Sequence, residues 1–209
     1  MATFQELSEA IQKGQAPKAR EITQSLLGEK KPPGEILNKG LLDGMDKIGQ
    51  RFKVNEVYIP EVLIAARAMH GGLGVLEPQL KATGVKPVGI VVLGTVKGDL
   101  HDIGKNLVGM MLTGAGLKVV DVGTDAPPEK FIQAAKDNAA QVLALSALLT
   151  TTMPQRSEVI KAVKTANLKV KTMIGGAPVT QAYADEIGAD GYAPDAASAA
   201  DKALELIKA

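Results

Sequence analysis

Residues 89–106 read GIVVLGTVKGDLHDIGKN, and two rhythms follow one another inside that stretch. Gly89 to Thr95 is a short β-branched run with no polar alternation, as in a strand buried on both faces. From Ile103 the apolar residues return at helical spacing. A strand that passes through a polar, glycine-bearing loop into a helix is half of a βαβ unit. Further runs of the same kind lie downstream: LKVVDVG at 117–123, QVLALSA at 141–147, VKTMIGG at 170–176 and a short GYA at 191–193. Helical segments fall at 103–115, 127–139, 154–167, 178–188 and 195–208. This alternation specifies a parallel sheet with helices on both faces. Five strands at this spacing predict an α/β, flavodoxin-like (Rossmann-like) fold with strand order 2-1-3-4-5.

Upstream the rhythm is helical throughout. Phe4, Leu7 and Ile11 form one short face, and Ile22, Leu26 and Leu27 a second. Pro32-Pro33 opens a third segment whose stripe is Ile36, Leu37, Leu41, Met45, Ile48 and Phe52. After a break at Val54-Asn55, Pro60 opens a fourth with Val62, Leu63, Ala66, Met69 and Leu73. His70, before Gly71-Gly72, reads as a residue at the end of that helix. The expected organisation is a four-helix bundle over 1–84 and an α/β domain over 85–209, joined by the short linker KATGVKP at 81–87.

The composition removes several classes of function. The 209 residues carry 24 basic and 23 acidic side chains, a net charge of +1, and 3% aromatics with no Trp. That balance argues against a nucleic-acid binder. There is no Cys, which excludes a disulfide framework, a thiolate nucleophile and a Cys-ligated zinc or iron–sulfur centre. No secretion-type apolar segment stands at the N-terminus, and no apolar run reaches the roughly 18 residues of a membrane span. A cytoplasmic protein with no membrane partner is expected.

In this fold a ligand binds beyond the carboxyl ends of the strands, which directs attention to TVKGDLHDIG, GTDAPP, SALLTTTMP, GGAPVT and APDA. The first resembles a phosphate loop only loosely. Five residues separate Gly98 from Gly104, and Asn106 stands where a magnesium-binding hydroxyl is needed. His101 has Asp99 two residues before it and Asp102 beside it. A carboxylate on one imidazole nitrogen leaves the other free for a metal. One imidazole with no second His or Cys cannot hold zinc, but it suffices as the axial ligand of a metal already held in a macrocycle. Asp99, as a loop residue, is expected to carry little packing. Ser146-Ala147-Leu148 and Gly175-Gly176, each an ordinary loop in isolation, open on the same sheet edge.

These three elements, in order, resemble the DxHxxG, SxL and GG marks of cobalamin-binding proteins. They stand here as Asp99-Leu100-His101-Asp102-Ile103-Gly104, Ser146-Ala147-Leu148 and Gly175-Gly176. The chain is similar over most of its length to the corrinoid methyl carriers of methyltransferase systems, and to the cap plus cobalamin-binding module of methionine synthase. The resemblance implies cobalamin bound base-off/His-on, with His101 as the lower ligand of cobalt and Asp99 bonded to that histidine. Thr152 matches the serine that completes the relay in methionine synthase. Gly98 and the rest of its loop would meet the corrin. The displaced nucleotide tail would lie along Ser146, Leu148, Thr150, Gly175 and Gly176, ending near Tyr192 and Ala193. Phe52 and Ile59 match cap positions over the upper corrin face, although either also fits a bundle core. The implied partners are a substrate:corrinoid methyltransferase, an acceptor methyltransferase such as one using tetrahydrofolate, and a reductive activase.

Three other readings share the fold or the motif. A mutase small subunit needs a substrate barrel, for which the length leaves no room. A cobalamin-dependent regulator or sensor needs a DNA-binding segment, and light-sensing relatives carry a bundle tryptophan absent here. A phospho-receiver needs an aspartate at the end of the third strand, where Ser146 stands. Neither the methyl donor nor the oligomeric state is legible.

Overall fold

The computed structural model describes residues 1–209. Each β-branched run becomes a strand: β1 (Ile90–Thr95), β2 (Lys118–Asp121), β3 (Val142–Ser146), β4 (Lys171–Gly175) and β5 (Gly191–Ala193). All neighbours are parallel and the order is β2-β1-β3-β4-β5, as the alternation predicts. The unbroken apolar runs of β1 and β3 take the two central places, where both faces are covered. Val92, Leu143, Leu145, Ile174, Phe131 and Val159 are among the side chains that fill the core around them. One row of paired residues crosses the carboxyl edge of four strands: Thr95, Ser146, Gly175 and Ala193. The motif residues of separate loops therefore start from a common line.

The chain divides into two compact units, Met1–Pro87 with Gly114–Gly116, and Val88–Thr113 with Leu117–Ala209. In the second unit the strands are linked by α6 (Ile103–Gly114), α7 (Pro128–Asn138), α8 (Pro154–Thr165) and α9 (Gln181–Ile187), and α10 (Ala196–Lys208) follows β5.

The first unit is helical. In α1 (Phe4–Gln12) the Thr3 hydroxyl accepts from the Glu6 N–H, and the Glu6 carboxylate accepts from the Thr3 N–H, a reciprocal cap. After α2 (Ala16–Gly28), α3 (Pro33–Ile36) runs through a π-helical segment, Leu37–Leu42, into α4 (Asp43–Lys53). These form one helical rod whose stripe Ile36, Leu41, Met45 and Ile48 is buried.

The last helix of this unit, α5 (Ile59–Ala82), departs from expectation. Gly71-Gly72 does not end it, and His70 lies mid-helix, its Nδ1 2.8 Å from the Ala66 carbonyl. The glycines serve packing instead. A methyl group on Gly72 would fall 2.6 Å from Leu41 and 3.1 Å from the Thr23 hydroxyl, so only a bare backbone lets α5 lie this close to α2. At 24 residues α5 is also long and apolar enough to cross a bilayer by length and composition, although charged residues such as Glu61, Arg67 and Glu77 interrupt it. Its Val62, Ala65, Ala66, Met69 and Leu76 are buried in the helical unit, as in the core helix of a globular domain.

Candidate functional site

The loop after β1 is folded by its own backbone and by its neighbours. The Asp99 N–H donates to the Val96 carbonyl at 3.1 Å, and the Gly98 N–H to Asp125 Oδ1 at 2.7 Å. The Asp125 N–H in turn donates to the Asp99 carbonyl at 2.9 Å. The Thr95 hydroxyl, at the last position of β1, holds the His101 carbonyl at 2.8 Å.

The Asp99 carboxylate is fully buried and surrounded by donors. Its Oδ1 accepts from the His101 N–H at 3.0 Å and lies 2.7 Å from His101 Nδ1. Its Oδ2 accepts from the Leu148 N–H at 2.8 Å, the Leu149 N–H at 3.2 Å and the Thr152 hydroxyl at 2.7 Å. Burial alone raises the pKa of this carboxyl. The bonds from Thr152, His101 and Leu148 outweigh burial and hold it well below the ordinary carboxylate range. An ionised carboxylate can only accept, so His101 Nδ1 carries the proton in this contact. In the neutral ring the lone pair then sits on Nε2. The His101 side chain is 49% exposed.

Four large apolar side chains on the segments that hold Asp99 and His101 stand exposed. Leu100 is 73% exposed, Ile103 78%, and Leu148 and Leu149 42% each. Single exposed leucines are ordinary, whereas four large apolar side chains on these segments suit an apolar partner. Beside them Gly104 has open space where a side chain would stand.

The other sequence candidates fall as follows. Asp102 does not bond His101; its carbonyl and Oδ2 accept from Asn106 at 2.7 and 3.2 Å at the start of α6. Lys105, the residue that resembles a phosphate-loop lysine, is buried and paired with Asp121 at the end of β2. Ser146, Gly175 and Ala193 share the strand-end row, Tyr192 is half-buried one residue below it, and Thr150 and Gly176 are exposed beyond it. In the helical unit Phe52 is half-buried and Ile59 is 43% exposed, so Ile59 is not a core residue of the bundle.

Sequence reasoning missed two features. The N–H groups of Leu148 and Leu149 act through the backbone, which composition does not report. Arg156 is fully buried, with Nη2 donating to the carbonyls of Ala147 at 2.8 Å and Gly175 at 2.5 Å. Its available signal was a charged residue on the stripe of Val159, Ile160 and Val163.

No group of three or more His, Cys, Asp or Glu side chains is gathered anywhere in the chain. A metal at His101 therefore has to bring its remaining ligands. A free Nε2 on a half-exposed, carboxylate-backed imidazole fits a cobalt already held by a corrin ring, and the residues present suit that group.

Comparison with known proteins agrees. A B12 binding domain model matches residues 89–201, and a second B12 binding domain model matches residues 3–77. The chain is 43% identical over 214 residues to dimethylamine corrinoid protein 2 of Methanosarcina acetivorans, covering 98% of this chain and 95% of that protein. Its fold superposes on the methanol:cobalamin methyltransferase complex MtaBC from Methanosarcina barkeri with a TM-score of 0.87 at 29% identity, covering 98% of this chain and 79% of that one. It also superposes on a cobalamin-binding protein from Desulfitobacterium hafniense DCB-2 with a TM-score of 0.80 at 26% identity, covering 99% of both chains. With an α/β domain whose sheet edge presents a carboxylate-backed imidazole, the chain belongs to the cobalamin-binding corrinoid proteins of methyltransferase systems.

Proposed function

We propose that the chain is a methyl carrier of a methylamine-type system, with His101 as the protein's ligand to cobalamin in the base-off/His-on form. The observation that carries this reading is the Asp99–His101 contact of 2.7 Å, which fixes the Nδ1 proton and leaves Nε2 free at the sheet edge. When bound, the corrinoid supplies a cobalt centre that takes a methyl group from one methyltransferase and yields it to another.

The chain's own residues do the rest. His101 offers the Nε2 lone pair, and Asp99 holds the ring in the tautomer that keeps that pair available. The ionised Asp99 accepts from Nδ1 and fixes the orientation of the ring. Thr152, Leu148 and Leu149 keep Asp99 ionised. Leu100, Ile103, Leu148 and Leu149 offer exposed apolar surface to the corrinoid. Gly98 and Gly104 let backbone approach the ligand. Ser146, Leu148, Thr150, Gly175, Gly176, Tyr192 and Ala193 are assigned to the nucleotide tail, and Phe52 and Ile59 to shielding the carried methyl group.

The methylamine assignment rests on similarity to dimethylamine corrinoid proteins. A methylamine:corrinoid methyltransferase, an acceptor methyltransferase and a reductive activase are the partners this role requires, in a cytoplasmic setting. Label transfer tests it. Protein loaded with cobalamin, reduced, and mixed with a dimethylamine methyltransferase and dimethylamine labelled in its methyl groups should retain label after gel filtration. His101→Ala should lower that label at least tenfold. Absence of label with donors of every methylamine class would contradict the carrier role.

A further inference from the structure

A buried guanidinium stands between two of the loops assigned to the cofactor. Arg156, in the first turn of α8, places Nη2 between the carbonyl of Ala147, at 2.8 Å, and that of Gly175, at 2.5 Å. Those residues lie inside the Ser146-Ala147-Leu148 and Gly175-Gly176 motifs. The two loops are pressed together at this seam. A methyl group on Gly176, which has φ +121°, would fall 2.4 Å from the Ala147 oxygen and 3.2 Å from Arg156 Nη2.

The guanidinium is not satisfied there. Its Nε and Nη1 are buried without a hydrogen-bond partner. No carboxylate pairs with it, although its side chain is fully buried. Burial lowers its pKa to about 10, opposed by the fields of Tyr183 and Asp99, so it remains charged at neutral pH. Buried donors are nearly always bonded, and a buried cation is ordinarily paired. Two neutral carbonyls on one nitrogen leave both requirements unmet. The planar fork of an arginine matches a phosphate oxygen pair.

We propose that Arg156 is the anion-reading residue of the nucleotide-tail slot, and that its Nε and Nη1 bond the phosphodiester of the cofactor's lower tail. The inference rests on the cobalamin reading above and adds a selectivity to it. The chain should discriminate corrinoids that carry a tail phosphate from those that do not, through one residue at the seam between β3 and β4. Arg156 is a binding residue in this account and takes no part in the relay of Asp99 and His101.

The test uses the full chain with two probes, hydroxocobalamin and cobinamide; the latter keeps the corrin and lacks phosphate, ribose and base. Dissociation constants are measured for the unmodified protein and for Arg156→Met, which fills the same space without charge. The expected result is a loss of tenfold or more for cobalamin and less than threefold for cobinamide. Equal losses for both probes, or no loss for cobalamin, would overturn the proposal and leave Arg156 a clamp between loops. Should Arg156→Met not fold, the Nε–H resonance of Arg156 in the unmodified protein carries the test. It should move on addition of cobalamin and stay in place with cobinamide, and an unmoved resonance with cobalamin overturns the proposal. If neither corrinoid binds the unmodified protein, the cobalamin reading itself fails, and the inference with it.

Discussion

Asp99 does more than orient an imidazole. Its two oxygens receive five hydrogen bonds, three of them from residues 49 to 53 positions further along the chain. It thereby ties the loop after β1 to the loop after β3. The sequence expectation that a loop aspartate carries little packing is corrected by this burial. An amide in its place presents an NH₂ group to donors, leaving buried N–H groups unmatched. Asp99→Asn should therefore cost about 2–3 kcal/mol in a denaturant melt, and an unchanged melt would mean that the loop pairing survives without the charge. The motif spacing made Asp99 and His101 legible as a pair, because they are two residues apart. The donors on Leu148 and Leu149 were not legible, since backbone groups have no sequence signature and their partner is distant in the chain. Arg156 was overlooked for a related reason: a charged residue on a helix is normally read as surface, and only its apolar neighbours Val159, Ile160 and Val163 mark the position as buried.

Among elements, the strands were legible nearly to the residue, because parallel strands buried on both faces leave unbroken β-branched runs. The helical unit was legible in its number of rods but not in its details. The Gly71-Gly72 pair was read as a helix end, and α5 passes through it because close packing against Leu41, Thr23 and Ala16 needs those bare positions. The π-helical turn at Leu37–Leu42 leaves no periodicity that a stripe of apolar residues reveals. Just after it, Asp43 accepts from the Ser8 hydroxyl at 2.5 Å and Lys47 Nζ at 2.7 Å, joining α1 to α4. Partial burial raises the Asp43 pKa, and the Lys47 and Ser8 bonds more than reverse this, leaving it lowered. A carboxyl depressed in the folded state contributes stability above its unfolded pKa and loses it as pH falls through the folded one. Asp43→Asn should therefore destabilise the chain at pH 7 by about 1 kcal/mol, a modest figure because the ion pair is solvent-exposed. The deficit should vanish as the pH drops below the ordinary carboxylate range. Melts of both proteins across that range check the sign, and a deficit that grew on acidification would contradict it.

For the whole molecule, the central proposal is that His101, with Asp99 behind it, is the protein's ligand to the corrinoid cobalt. Fold and family follow from the alternation of strands and helices and from the three loop motifs on one edge. The identity of the methyl donor was never legible, because a carrier holds the cofactor and leaves recognition of the donor to a separate enzyme. The axial bond is accessible directly. Protein grown with ¹⁵N-histidine, loaded with unlabelled cobalamin and reduced to the Co(II) state, gives an electron paramagnetic resonance spectrum split by the axial nitrogen. With His101 as the ligand, each superhyperfine feature becomes a doublet from ¹⁵N, and the splitting disappears in His101→Ala. A triplet from ¹⁴N that persists in the labelled protein would place the cofactor's own benzimidazole on cobalt and contradict the claim.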